Sequence, residues 1–271
     1  MKKQVIILSL LFLLAFGGYT LRPKPVANRV WTRFEQTGTT LDGWGWAAQP
    51  WTGDDRPCQK IRADIKKALN ANHDPDALIA EYKAKADAAP KDPQAAFGWA
   101  FAAWRVATWS KEYQRKYSDF SDLPDALASA PFPKTYNYAR LRFLIQAQVR
   151  PMPQLEELGK RLVNRDPKDI DVKYQLIKVL RQVPSPPENQ EALKLAQELV
   201  QSDPKSALYY QVLGNIYEGA YLDFGFKKSD AQKAIAAFQK SQELLPPDDK
   251  DRERATAAIQ TLQNNMETLN R

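Results

Sequence analysis

The sequence predicts an all-α protein, specifically a right-handed α-solenoid built from stacked pairs of helices. Prolines at 93, 131, 167, 204 and 246 follow one another at intervals of 36 to 42 residues, each long enough for two helices. A recurrence of this length is the signature of a helical repeat protein. The composition, with 44% hydrophobic and 26% charged residues, is that of a globular chain with ample core.

Residue counts exclude several classes of function. Cys58 is the single cysteine, so an intrachain disulfide is impossible, and His73 is the single histidine, so a histidine-rich metal site is excluded. The net charge of +7 is concentrated in residues 1–30 and 91–150, which contribute +5 and +4. Because the positive charge is local, the sequence does not predict nucleic-acid binding.

The amino-terminal segment predicts export or membrane anchoring. Lys2 and Lys3 precede an uncharged, mostly apolar stretch, Val5–Leu21. As a helix these residues rise about 25 Å, slightly less than a hydrocarbon core of roughly 30 Å. Residues 1–21 are therefore interpreted as an uncleaved transmembrane anchor or a cleaved signal peptide, with a buried core helix as the remaining alternative. Under the first two interpretations the protein is membrane-anchored facing outside the cytoplasm, or exported, periplasmic in the second case.

Residues 22–57 form the second predicted region, an irregular arm rich in tryptophan. Proline and glycine interrupt it repeatedly, which disfavours regular structure. Trp44, Trp46 and Trp51 lie within it, and a purely solvated tether is not expected to carry so many indole rings. One interpretation is that the arm covers the open end of the helical body. The other is an aromatic surface for a partner, a glycan or the membrane interface.

Four Asp-Pro pairs precede helix-like runs and are interpreted as helix starts. Aspartate can cap the free amide groups, and proline fits the first helical position because no hydrogen bond is needed there. The pairs are Asp74-Pro75, Asp92-Pro93, Asp166-Pro167 and Asp203-Pro204.

The last repeat carries a recognisable pattern of large and small residues. Its members are Tyr210, Leu213, Gly214, Tyr217, Ala234, Phe238 and Pro246. This spacing resembles that of a tetratricopeptide repeat. In this arrangement Gly214 lets the two helices approach while the aromatic rings fill the groove against Ala234 and Phe238. The segment Gly219–Asp230 makes the join longer than is usual in the family, and Ser229 with Gln232 predicts a capping box for the second helix.

Earlier repeats match less fully but keep the apolar skeleton, so the repeat domain is assigned to residues 58–271. First and second helices are expected near Ile61 and Leu78, Tyr138 and Leu158, and Tyr174 and Ala192. A final amphipathic helix is expected to cap the array. Its apolar face would consist of Ala255, Ala258, Ile259, Leu262, Met266 and Leu269.

The family resemblance implies a concave groove, lined by the first helices, that holds a protein or peptide partner. The positions expected to be exposed there are Tyr136, Phe143, Gln175, Gln182, Gln211 and Asn215. Gln211 and Asn215 are hypothesised to hydrogen-bond a bound peptide backbone, the alternative being a solvated helix face. The sequence therefore predicts a non-catalytic scaffold or adaptor of the cell envelope.

A second interpretation is an accessory or catalytic subunit of envelope assembly, acting on glycan or peptide through the aromatic arm and Cys58. No Walker loop, dinucleotide fingerprint, zinc motif or nucleophile elbow is present in the sequence. No catalytic residue, cofactor or metal ligand is therefore predicted.

Overall fold

The computed structural model describes residues 50–108, 134–149, 151 and 153–268, all within one compact unit that begins at Ala47. Within these ranges every regular element is helical. The α-helices are α1 Arg56–Asn70, α2 Pro75–Ala88, α3 Pro93–Ala107, α4 Tyr136–Val149, α5 Glu156–Arg165, α6 Ile170–Leu180, α7 Pro186–Ser202, α8 Ala207–Asp223, α9 Lys228–Leu244 and α10 Lys250–Thr268. A 3₁₀ turn, Pro153–Leu155, leads into α5.

The helices pack in sequence order, which confirms the predicted α-solenoid. From α5 to α10 each helix packs against the next, and the α8–α9 pair has the most extensive interface. At the other end α3 contacts α1, α2 and α4, so α1 and α2 meet over one partner. The Tyr82 ring of α2 lies against Gly98 of α3, with Ile61 of α1 nearby.

Two of the four Asp-Pro pairs start helices as predicted. Asp74 accepts a hydrogen bond from the backbone N of Asp76, and Asp92 accepts one from that of Gln94. The prediction is wrong for the pairs at 166–167 and 203–204. There the aspartate side chain bonds the backbone two residues on and closes a turn, and the helix starts later.

Helix α6 begins after Asp169, whose carboxylate accepts a hydrogen bond from the backbone N of Val172. Helix α8 begins after Ser206. Both starts therefore follow the proline by two residues, because the intervening turn reverses the chain between consecutive helices.

The last repeat has the predicted packing at its centre. A Cβ atom on residue 214 would lie 2.7 Å from Cε1 of Phe238, so only glycine permits this approach of α8 to α9. Ala234 and Phe238 are buried, and Tyr217 packs partly buried against the same cluster.

The long join proves to be an extension of α8, which runs on to Asp223. Gly225 and Phe226 have positive φ angles of 105° and 56°, and the backbone N of Phe226 donates to the carbonyl of Tyr221 at 2.8 Å. The predicted capping box is wrong, because α9 already begins at Lys228 and places Ser229 inside its first turn.

Helix α10 covers the end of the array. Ala255 and Leu262 are buried against α9, with Ala258, Ile259 and Met266 partly buried beside them. Leu269 lies outside the described residues. The apolar face expected of a capping helix is thus present, and polar side chains occupy the rest of its circumference.

Candidate functional site

Helix α8 presents one row of side chains that packs against neither α7 nor α9. We call Leu208, Gln211, Asn215, Glu218 and Leu222 the α8 stripe, since steps of three and four residues place them on one face. Leu208 is 46% exposed and Leu222 is 44% exposed, while the three polar members between them are half-buried. The stripe therefore has apolar ends and a polar middle.

A second row lies beside it on α6. We call Asp171, Tyr174, Lys178 and Arg181 the α6 stripe, which has the same three- and four-residue spacing. Burial raises the pKa of Tyr209 on α8, with Asp171, Asp203 and Tyr174 also acting on it. Burial also raises the pKa of Glu218, and the nearby Arg181 opposes this shift. These influences place the α6 and α8 stripes next to each other at both ends.

Gln175 is the first of two predicted groove residues that the structure withdraws. It is only 4% exposed, and its Nε2 donates to Oε1 of Gln148 at 2.7 Å. Lys178 donates to the same oxygen at 3.2 Å, and burial lowers the pKa of Lys178. Gln175 is therefore wrongly predicted as an exposed contact, because it fastens α6 to α4.

Phe143 is the second, since none of its surface is exposed. Helix α4 is contacted by α1, α3, α5 and α6, so it lacks the free face that the repeat pattern implies. The ring of Phe143 packs instead against Gly159 of α5. Phe143 therefore belongs to the core.

The remaining predicted positions are accessible to different degrees. Gln182 is exposed just beyond the end of α6, where its Nε2 donates to the carbonyl of Lys178. Gln211 and Asn215 lie side by side in the α8 stripe. Tyr136 is half-buried at the start of α4, distant in sequence from the α8 stripe.

Around Tyr136 the structure gathers positive charge. We call Arg62, Lys66, Arg105 and Arg140 the basic cluster, because the last three act electrostatically on one another and on Arg62. Arg140 is buried, pairs with both Asp169 and Asp171, and holds its guanidinium 5.8 Å from the Trp104 ring.

Arg62 is the member of the basic cluster that connects α1 to its neighbours. It donates to Oδ1 of Asn137 on α4, and its guanidinium lies 5.8 Å from the Phe101 ring of α3. Burial lowers the pKa of Arg62, and the charge of Arg140 lowers it further.

Trp51 packs on the helical body. Its ring meets the Tyr136 ring edge-on at 5.3 Å, and the Arg161 guanidinium of α5 lies 4.9 Å from it. The backbone N of Gly53 donates to the carbonyl of Lys134 at 2.7 Å. Trp51 thus covers the start of α4. Trp44 and Trp46 lie outside the described residues.

Cys58 is held as a neutral thiol. It is 4% exposed, and burial raises its pKa to about 12, with Asp55 acting in the same direction. Such a thiol is a poor nucleophile near neutral pH, because the thiolate is the reactive form. His73 is exposed in the turn after α1.

Two searches of the described ranges gave no candidate. They contain no group of three or more His, Cys, Asp or Glu side chains able to hold a metal ion. No helix within them is both long and apolar enough to cross a membrane.

Sequence reasoning missed the basic cluster and half of the α8 stripe. The spacing of Glu218 and Leu222 from Asn215 was a readable signal, since all three fall on one helical face. The proximity of Arg62 and Arg140 was not readable, because it depends on α1 packing near α4 across more than 70 residues.

No protein-family model matches the chain, and no curated protein matches it. Two solved structures are similar to it. One is described as "MamA RS-1 ArsTM double mutant", with a TM-score of 0.40 and 16% sequence identity, covering 69% of this chain and 94% of that one. The other is "MamA 41-end from Desulfovibrio magneticus RS-1", with a TM-score of 0.41, 18% identity and the same coverage. The tetratricopeptide-like solenoid is evident from the packing of this chain's own helices.

Proposed function

We propose that the chain is a non-catalytic scaffold that binds an extended segment of a protein partner along the α8 stripe. The observation that carries this proposal is the half-buried pair Gln211 and Asn215, flanked by the exposed side chains of Leu208 and Leu222. A solvated helix face has no need of exposed leucines at both ends of a polar row.

The spacing of the two amides suits a peptide backbone. Residues four apart on a helix are separated by about 6 Å along its axis. An extended chain repeats its backbone groups about every 6.6 Å, that is, every two residues. Each amide carries both donors and an acceptor, and within the described part of the chain neither Gln211 nor Asn215 has a hydrogen-bond partner. Both are therefore free to pair with a bound backbone.

The charge of the neighbouring row adds selectivity. Lys178 and Arg181 of the α6 stripe lie beside Glu218, whose raised pKa shows that water reaches it poorly. A partner segment that covers Glu218 must supply a donor to it or leave it protonated. The stripe thus favours a segment with apolar side chains at its ends and a polar or basic one near Glu218.

The alternative as an enzyme subunit has no support from the described residues. Its proposed nucleophile, Cys58, is buried with a raised pKa, and its Trp51 is occupied by Tyr136 and Arg161. We therefore retain the scaffold.

The proposed location is the cell envelope, with the helical body outside the cytoplasm. This rests on the sequence of residues 1–21 alone, which lie outside the described ranges. Mass spectrometry of the native amino terminus tests it. A start near residue 20 would exclude an uncleaved anchor and leave the exported form.

Affinity capture of the full chain from membranes, followed by binding measurements with the purified partner, tests the scaffold. We expect Gln211→Ala with Asn215→Ala to weaken binding about tenfold, since each lost hydrogen bond contributes about 1 kcal/mol. The matched control is Gln232→Ala with Gln239→Ala, which removes two exposed amides from α9. Equal affinity for both double variants would refute binding through the α8 stripe.

A further inference from the structure

A second surface of the solenoid is prepared for a ligand of opposite charge. Arg62 and Lys66 lie one turn apart on α1, so their side chains project from the same face. Arg62 is half-buried and its only hydrogen bond to a described residue goes to the neutral amide of Asn137. Lys66 has no hydrogen bond or ion pair with any described residue. Neither cation is neutralised by direct contact there.

The surrounding charges do not compensate them. Burial lowers the pKa of Lys66, and the charges of Arg62, Arg105 and Arg140 lower it further, whereas Asp171 raises it. Asp169 also acts on Arg62, but Asp169 and Asp171 both bind Arg140 directly. Four cations therefore face two carboxylates that are already engaged, which leaves a local surplus of positive charge.

Two further donors near the basic cluster lack partners among the described residues. Trp104 is 2% exposed, and its Nε1 is a buried donor without an acceptor. The hydroxyl of Tyr136 is likewise buried without a partner, although a phenol can both donate and accept. A buried donor without a partner typically costs 1–3 kcal/mol, so the structure favours a bound group that accepts hydrogen bonds.

The aromatic surroundings restrict which acceptor fits. Phe101, Trp104 and Tyr136 border the basic cluster, so a ligand that reaches it also passes apolar rings. A carboxylate on a methylene stem has both features, and the guanidinium fork of Arg62 matches a carboxylate in geometry.

We infer that the basic cluster binds an acidic side chain of the protein partner, at Arg62 and Lys66, as a second contact beside the α8 stripe. This inference rests on the proposed scaffold function and adds to it the charge of one part of the partner. Such a contact steers the partner toward the surface and makes its association sensitive to salt.

The test uses the full chain and a fluorescent hexaglutamate peptide that is acetylated and amidated, so that only side-chain carboxylates are present. We expect the wild-type chain to bind it, Lys66→Gln to weaken binding about tenfold and Arg62→Gln to weaken it at least as much. Lys67→Gln is the matched control, because Lys67 is exposed, adjacent and on the same helix. It should change the affinity less than twofold.

Lys66→Gln keeps the test independent of folding, since Lys66 holds no described residue in place. Absence of peptide binding by the wild type would overturn the inference, as would equal losses for Lys66→Gln and Lys67→Gln. Displacement of the peptide by inorganic phosphate at a concentration far below that of free glutamate would identify a phosphate site instead, and would also overturn it.

The two proposals fail separately. If the purified partner loses affinity for the Gln211, Asn215 double variant but not for Lys66→Gln, the acidic contact is wrong and the scaffold stands. If hexaglutamate binds as expected but no protein partner depends on the α8 stripe, the scaffold is wrong.

Discussion

The carboxylate of Asp55 caps helix α4 by accepting hydrogen bonds from the backbone and side-chain nitrogens of Asn137, the backbone bond being 3.0 Å long. Asp55 lies immediately before α1, 82 residues away in sequence. Asn137 in turn accepts from Arg62. One short chain of hydrogen bonds therefore joins the starts of α1 and α4 to the basic cluster.

Asp55→Ala should lower the free energy of unfolding by about 2 kcal/mol, because α4 loses its cap and the Asn137 amide loses an acceptor. Urea unfolding followed by circular dichroism measures this. Asp54→Ala is the matched control, since Asp54 is exposed and its described partner is the exposed Arg56. We expect less than about 0.5 kcal/mol there. Similar losses for the two variants would contradict the cap.

Two glycines on α8 should respond to alanine with opposite signs. At residue 214 a Cβ would lie 2.7 Å from Phe238, and overpacking of this kind typically costs 1–3 kcal/mol. At residue 219 the nearest atom would be 3.7 Å away, so alanine there gains helix propensity of about 1 kcal/mol. Thermal unfolding should therefore show a lower Tm for Gly214→Ala and a higher Tm for Gly219→Ala. Equal shifts would refute close packing at Gly214.

The buried thiol of Cys58 should make the fold sensitive to alkali. Its pKa is about 12 in the folded chain, against an ordinary value of 9.0. The unfolded chain therefore releases this proton first as the pH rises, so stability is retained below about pH 9 and lost between pH 9 and 12. Between pH 8 and 10 the loss from this group is about 1 kcal/mol.

Unfolding at the two pH values, in the wild type and in Cys58→Ala, isolates this contribution because the tyrosines are unchanged between the two proteins. The wild type should lose about 1 kcal/mol more than the variant over that range. A thiol reagent at pH 7.4 should also leave folded Cys58 unmodified for as long as the chain stays folded. Rapid modification of the native chain would contradict the burial.

The buried pair of Arg140 and Asp169 should be costly to break from one side only. Burial raises the pKa of Asp169, but the guanidinium of Arg140 outweighs burial and holds that pKa below its usual value. Arg140→Met leaves a buried carboxylate without its partner, which should cost about 3–5 kcal/mol.

Adding Asp169→Asn should recover part of this loss, because the amide keeps an acceptor for the backbone N of Val172. Since the pKa of Asp169 is lowered on folding, its contribution is present above about pH 4 and disappears as the pH falls. The wild type should therefore lose more stability than Asp169→Asn between pH 5 and 3. A double variant no more stable than Arg140→Met would contradict this account.

The parts of the fold that sequence predicted are those with local causes. The pairing of α8 with α9 is encoded by a glycine and a phenylalanine 24 residues apart, in a pattern shared by many helical repeats. Likewise the caps at Asp74 and Asp92 depend only on the next two residues. At Asp166 and Asp203 the same dipeptide closes a turn instead, and the sequence pattern does not distinguish the two uses.

The candidate site was less predictable because it depends on how many neighbours a helix has. Phe143 and Gln175 occupy the positions of groove residues in the repeat pattern, yet additional helices bury α4 and the adjoining side of α6. Arg62 and Asn137 show no sequence signal of their contact, since each is a single polar residue whose partner lies far along the chain.

The backbone hydrogen bond from Gly53 to Lys134, with Trp51 seated on Tyr136, has a kinetic consequence for the array. A stack in which each unit touches only the next unravels from its free ends, so terminal amides exchange with solvent before central ones. Here the segment before α1 latches onto α4, and α1 cannot peel away without releasing both. Amide exchange should consequently be slow and concerted across α1, α3 and α4, while α10 frays first.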